Sequence, residues 1–456
     1  MTEEQVEENI AYSEERIIKA LEEQDMPTFR EGFFQLHPYD RATLYKKVDE
    51  ALRKHMYHYL SPKELAEIFE LSEIEDEDYQ TYLKEMDVTY AANMIASMFV
   101  DNAVDVLNEL DKAQVVSYLT IMDKESATEI KALLHYEEYT AGSIMTTEYV
   151  VIPQDSTVRS AMTILRNAAP EAETIYYVFV VDDDERLTGV VSLRDLIIAD
   201  EDTLIYSIMN DRVVSVLVSE DQEDVARTIK DYNFLAVPVV DFQQHMLGII
   251  TVDDIIDVLD EEASDDYSKL AAVSDMTSSD KNSISAAKKR LPWLLILLVL
   301  GMLTANLIGA FEETISQVAL LAAFIPLIAG TAGNSGTQAL AVAVRGIATR
   351  DIENESRWKL MLREAGTGLI TGLICAIFVV GLIYVWKQEF LLGLLVGAAI
   401  LVSIFVATIS GTLIPLFMHK IKIDPAVASG PFITTLNDLI STLIYLGLAT
   451  TFISSL

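Results

Sequence analysis

Five uninterrupted apolar runs fill the C-terminal part of the chain, and each is long enough to cross a bilayer as a helix. They lie near 292–311, 318–344, 364–386, 391–418 and 431–454. The part from 291 to 456 is therefore expected to be a five-helix α transmembrane domain. Flanking basic residues orient it. Lys288, Lys289 and Arg290 precede the first run. Arg345, Arg350, Arg357, Lys359 and Arg363 separate the second from the third, and Lys420 and Lys422 separate the fourth from the fifth. Only Lys387 falls on the opposite face. The basic face is expected to be cytosolic, which puts the N-terminal part in the cytosol and the C-terminus outside a plasma membrane.

Nearly all of the net charge of −37 sits before the first run, where 61 acidic residues face 25 basic ones. Such a surface repels nucleic acid and anionic lipid and attracts cations. The single cysteine, Cys375, excludes a disulfide framework, and the opening MTEEQVEENI is too polar for a cleaved signal peptide.

Two runs are not plain lipid-facing helices. The second contains IPLIAGTAGNSGTQALAVAVRG, with glycines at 330, 333 and 336 among Thr331, Asn334, Ser335, Thr337 and Gln338. Polar groups at membrane depth are tolerated only against protein or a wet cavity, although small residues there also serve close helix packing. The fifth opens with DPAVASGPFITTLNDLIS. It places Asp438 about two turns into the apolar region, on a polar helical face with Thr434, Asn437, Ser441 and Thr442. A carboxylate at mid-depth costs at least ~2.5 kcal/mol and normally has a partner. Arg345 is the structural candidate, but it stands at the cytosolic end. The other reading is functional: oxygen ligands without His or Cys suit a hard cation such as a Mg²⁺ that keeps most of its water. One carboxylate is sparse for a dication. Two chains on a twofold axis would supply two, which favours a homodimer with an axial pore.

The cytosolic part carries an internal repeat. FVVDDDERLTGVVSLRDLI at 179–197 matches PVVDFQQHMLGIITVDDII at 238–256. Val181, Asp182, Gly189, Ser192 and Asp195 align with Val240, Asp241, Gly248, Thr251 and Asp254. Each copy reads as strand, turn, strand, helix, and the G-x-x-[ST]-x-x-D pattern resembles a tandem pair of CBS domains at 136–262. That resemblance implies an α/β regulatory module and makes ATP a candidate regulatory ligand, with Tyr177, Arg194 and Asp195 as nucleotide-binding candidates. Residues 1–135 read as short amphipathic helices of a superhelical all-α domain. Within it Asp101 and Asp105 share one helix face at i, i+4. After the repeat, Asp257, Asp260, Glu261, Glu262, Asp265 and Asp266 cluster on a connecting helix. That helix and its linker are expected at 263–290, with a Ser/Asp-rich stretch around 274–285.

In this order of parts, the chain resembles the MgtE magnesium transporter family. The resemblance is carried by PLIAGTAGNSGTQAL, RDLIIAD, GIITVDDIIDVL and DPAVASGPFITTLND. It implies a homodimeric Mg²⁺-selective channel that cytosolic Mg²⁺ closes. By motif position it implies that Asp438 is the pore carboxylate, with Asn334 and Gly333 as neighbours. Asp424 would belong to a gate site facing Glu262 and Asp265. Asp101 and Asp105 would pair across Mg²⁺ with Asp254, Asp257 and the backbone at Gly142. The rival reading is a broader divalent transporter for Co²⁺ or Mn²⁺, since oxygen ligands accept those ions too. An intramembrane enzyme lacks support: there is no H-E-x-x-H and no G-x-S-x-G.

Overall fold

The computed structural model describes residues 14–71, 76–273, 283–348 and 357–452. Residues 274–282 of the Ser/Asp-rich stretch, Arg350 and the end of the fifth run lie outside the described residues. The chain divides into two compact units, Met1–Asp260 and Glu261–Leu456.

The first unit begins all-α, with a helix over 14–22 and nine more from Met26–Gln35 to Lys124–Leu133 among the described residues. Aspartates start many of them. Asp25, Asp49, Asp87, Asp111 and Asp123 each accept a first-turn backbone N–H, and Ser61 closes a capping box with Glu64. Such caps contribute ~1 kcal/mol each, so part of the acidity is structural. The buried faces, including Phe29, Phe33, Tyr45, Leu65, Phe69 and Met94, form a core that continues into Val216, Ile229, Val237, Ile250 and Ile255. The helical domain therefore packs on the second repeat copy, while the first copy has its own core around Ile152, Val178, Val180 and Leu196.

The two copies are built alike, as a tandem CBS pair. Strands β1 (Val151–Pro153), β2 (Tyr177–Val181) and β3 (Leu187–Ser192) form one sheet; β4 (Val216–Leu217), β5 (Ala236–Val240) and β6 (Met246–Thr251) form the other. In each sheet the first pair is parallel and the second antiparallel, with a register shift at the equivalent point, Val180/Val181 and Val239/Val240. The repeated residues explain themselves locally. Asp182 and Asp241 each accept two backbone N–H groups of their turns. Gly189 and Gly248 lie where a neighbouring segment crosses: a β-carbon would come 2.5 Å from Met209 Sδ or 2.6 Å from Thr146 O.

The connecting helix begins earlier than the expected 263–290 segment. It runs unbroken over Val252–Leu270, so its N-terminal turns close the second CBS copy. Residues 260–270 contain no Gly or Pro, and nothing interrupts the helix at 262.

Among the described residues of the second unit, five helices are long and apolar enough to span a membrane: Ala286–Ala310, Ala319–Ile347, Trp358–Lys387, Phe390–Lys420 and Gly430–Phe452. Leu321, Ile383, Val396, Ile400, Tyr445 and Leu446 form their main core. Glycines permit a close crossing: a β-carbon on Gly411 of the fourth span would lie 2.2 Å from Gly336 O of the second. Packing thus accounts for Gly336, as it does for many small residues between membrane helices.

Candidate functional site

In the membrane unit Asp438 is half-buried on the fifth span, and its Oδ1 is buried with no hydrogen-bond partner among the described residues. Gly333 stands against it; a β-carbon there would be 3.6 Å from that oxygen and 2.9 Å from Thr434 Cγ2. The expected polar face divides. Thr434 bonds Thr337 of the second span at 3.2 Å, and Asn437 Oδ1 accepts from Ser410 of the fourth at 2.8 Å. Asn437, Ser441 and Thr442 are buried inside the bundle, and Asn437 Nδ2 and Thr442 Oγ1 are also unpaired. An unpaired polar atom away from water costs ~1–3 kcal/mol, so this row of groups fits a polar guest better than a packed core. Asn334 stands apart: one residue beyond Gly333, it lines a separate polar cavity with Ser335, Gln338 and Glu364.

At the end of the connecting helix, Asp424 and Asp265 come together around a lysine. Lys269 Nζ lies 2.5 Å from Asp424 Oδ2 and also pairs with Asp265. Partial burial works against the ammonium's charge, yet the two carboxylates hold Lys269 above the ordinary lysine range. The other Asp424 oxygen accepts from Ala426 N at 2.8 Å, capping the turn before the fifth span. Leu270 packs beside Leu340, Ala428 and Ile433. Glu262 is half-buried three residues before Asp265.

The first unit gathers carboxyl groups where helical domain and CBS pair meet. Asp101 is 6% exposed and accepts from Asn102 N. Burial, then Asp254, Glu173 and Glu148, push its carboxyl well above the usual range against that hydrogen bond. Glu173 is pushed up to about 8 by burial, then by Asp254, Asp253, Glu148 and Glu70, and its buried Oε2 has no partner among the described residues. Glu70 is pushed up to about 7, mainly by burial, although it accepts from Phe99 N at 2.7 Å. Burial, with Asp253 and Asp257, raises Asp254 too, despite a bond from Thr251 Oγ1 at 2.5 Å. Asp105 and Asp257 are exposed on their helices. Gly142 is buried; its N–H bonds Val218 O at 2.9 Å, and a β-carbon would strike the Tyr136 ring. Among the described residues no three His, Cys, Asp or Glu side chains converge closely enough to hold a metal ion.

Ser192 and Asp195 repeat the Thr251–Asp254 pairing, with Ser192 Oγ donating to Asp195 Oδ2 at 2.5 Å. Asp195 and Arg194 are exposed, and Tyr177 is half-buried on β2. The two equivalent aspartates therefore differ in surroundings: Asp195 faces solvent, whereas Asp254 belongs to the buried acidic group.

Sequence profiles divide the chain in the same order: the MgtE intracellular N domain at 36–139, CBS domains at 141–202 and 205–261, and the MgtE divalent cation transporter at 325–448. The magnesium transporter MgtE of Enterococcus faecalis is 53% identical over 96% of this chain and 96% of its own length. The chain belongs to the MgtE family of divalent cation transporters. A crystal structure of the soluble part of a magnesium transporter aligns at 56% identity and a TM-score of 0.54, covering 56% of this chain and 99% of that one. The cytosolic domain of a Mg²⁺ channel MgtE, crystallised with ATP, aligns at 38% identity and a TM-score of 0.51, covering 54% and 99%. With five spans and this membership, the chain is a multi-pass membrane protein. Within this MgtE chain, sequence reasoning missed Glu70, Glu148, Glu173 and Lys269. Only Lys269 left a usable signal, its i, i+4 spacing from Asp265.

Proposed function

We propose that this chain conducts Mg²⁺ across the plasma membrane past Asp438 and closes when cytosolic Mg²⁺ binds its acidic domains. The observation that carries the reading is the buried, unpartnered carboxylate oxygen of Asp438 in the fifth span of a divalent cation transporter. Small oxygen ligands beside it suit an ion that keeps most of its water. Close relatives named magnesium transporters favour Mg²⁺ over Co²⁺ or Mn²⁺, and favour transport over catalysis. A homodimer would set two Asp438 carboxylates on one axis, with Gly333 beside each. The basic flanks support a cytosolic N-terminal part and an external C-terminus.

Closure follows from charge. Asp101, Asp254, Glu173 and Glu70 repel one another when ionised, and a divalent ion lodged among them, joined by Asp105 and Asp257, would hold the helical domain and CBS pair together. Four or five weak sites at ~1 kcal/mol each approach the ~5.5 kcal/mol that inverts a 1:99 population. ATP is proposed to bind at the exposed Asp195, Arg194 and Tyr177, as the ATP complex of a related cytosolic domain suggests.

Uptake of Mg²⁺ into liposomes holding the purified protein is the test. Asp438→Ala and Asp438→Asn should each lose most of the flux while the protein stays folded. Uptake near wild type in Asp438→Ala would sink the pore assignment.

A further inference from the structure

Glu364 is a carboxylate that the pore does not use. It lies in the third span and is 8% exposed, and among the described residues its one ion-pair neighbour is the adjacent Arg363 at 3.7 Å. It opens onto a cavity of about 500 Å³ between the second, third and fourth spans. Asn334, Gln338, Thr331, Thr367 and Thr371 line it with Glu364, and Cys375 marks its far end, eleven residues or ~16 Å along the third helix.

The hydroxyls decide what such a space takes. Thr331, Thr367 and Thr371 donate to the carbonyls of Leu327, Arg363 and Thr367 at 2.6, 2.9 and 2.8 Å. Thr408 donates likewise to Ile404 O at 2.8 Å. Thr408 then accepts from Ser335 Oγ at 2.9 Å, whereas the oxygens of Thr331, Thr367 and Thr371, their protons committed, can only accept and offer lone pairs to a cation or to the hydrogens of its water shell. Glu364 adds a negative charge and repels anions. Six waters at ~30 Å³ each take roughly 180 Å³, so a hydrated ion fits with room to spare. We infer that this cavity is a second station for a hydrated divalent cation, held at Glu364 near the basic, N-terminal end of the third span and distinct from Asp438. The inference rests on the proposal that Mg²⁺ is the cargo.

Cys375 is the only cysteine in the chain and reports on the cavity without any substitution. The full-length protein in detergent is treated with a cationic or an anionic methanethiosulfonate, with Mg²⁺, hexaamminecobalt(III) as an inert mimic of the hydrated ion, or choline chloride at matched ionic strength. The cationic reagent is expected to react roughly tenfold faster than the anionic one, as a focused negative site requires. A cation at ten times its dissociation constant should slow that reaction ~11-fold. Glu364→Gln should abolish the charge preference and the protection; Glu364→Asp should keep both in weaker form, which separates lost charge from lost fold. An inert Cys375, equal rates for the two reagents, or protection by Mg²⁺ no greater than by choline would overturn the inference. The readout is thiol modification, not flux, so its failure would leave permeation past Asp438 standing.

Discussion

Replacing Glu173 by glutamine should stabilise the first unit at alkaline pH, because its carboxyl is buried among other acids with one oxygen unpartnered. Burial and the neighbouring acids raise it from 4.5 to about 8. A carboxyl raised in the folded state contributes stability fully below its unfolded value and loses it as pH climbs through the folded value. In wild type, the contribution present near pH 4.5 should therefore be gone by about pH 8. At ~1.4 kcal/mol per unit the whole shift would exceed 4 kcal/mol. Glu173 is only half-buried and Asp253 is exposed, so screening reduces this to about 2 kcal/mol. The assay is urea unfolding of the soluble part, residues 1–270, followed by circular dichroism at pH 4.5 and 8.5 in chelator. A related soluble part has been crystallised on its own. Glu173→Gln should flatten the pH dependence by about 2 kcal/mol, and should benefit less than wild type from millimolar Mg²⁺ at pH 8.5. A variant with the wild-type pH slope, or one less stable than wild type at pH 8.5 without cation, would refute carboxylate repulsion as the sensor's spring.

Two further predictions address the gate and the nucleotide. Lys269→Met removes the ammonium between Asp265 and Asp424, so half-closure in liposome flux titrations should need roughly tenfold less Mg²⁺, the factor for ~1.4 kcal/mol of lost competition. Lys269→Arg should stay near wild type, and a shift to higher Mg²⁺ in Lys269→Met would contradict the pairing. Equilibrium dialysis of the purified protein should show ATP binding that Asp195→Ala abolishes while Asp254→Ala does not; equal loss in both would mean that exposure of the first copy does not select the site.

Much of this architecture was legible because it rests on period and repetition. The five spans announce themselves by length, and the two CBS copies by aligned residues that the structure explains as turn, close crossing and helix cap. Asp438 stood out because a carboxylate has no ordinary place in an apolar helix. The acidic group was harder to find. Glu70, Glu148 and Glu173 are scattered across two domains, and against so many other carboxylates no single one has contrast. Several other aspartates, such as Asp49, Asp87 and Asp111, serve as helix caps, which spacing alone does not separate from ion binding. Asn334 shows the limit of reading a helix face by neighbourhood. One residue turns the helix by about 100°, enough to carry it from the Asp438 side, where Gly333 stands, to the cavity lined by Glu364.

The lysine beside Asp424 bears on the closure by Mg²⁺ proposed above. Asp265 and Asp424 already share the Lys269 ammonium, so the trio carries one net negative charge rather than two. A divalent ion arriving there must displace an amine that is held by two carboxylates and kept above its ordinary range. That competition weakens the gate as a sensor of its own. Asp101, Asp254 and Glu173 face no such resident cation in the packing described; their neighbours raise their carboxyl values instead of lowering them. An added divalent ion relieves repulsion there, whereas at the gate it must first break an ion pair. Asp254 and Lys269 stand on one continuous helix, fifteen residues or ~22 Å apart. Under the proposed closure by Mg²⁺, the acidic domains would respond first, and the Asp265–Lys269–Asp424 pairing would raise the Mg²⁺ concentration that closure needs, which is why Lys269→Met is expected to lower it.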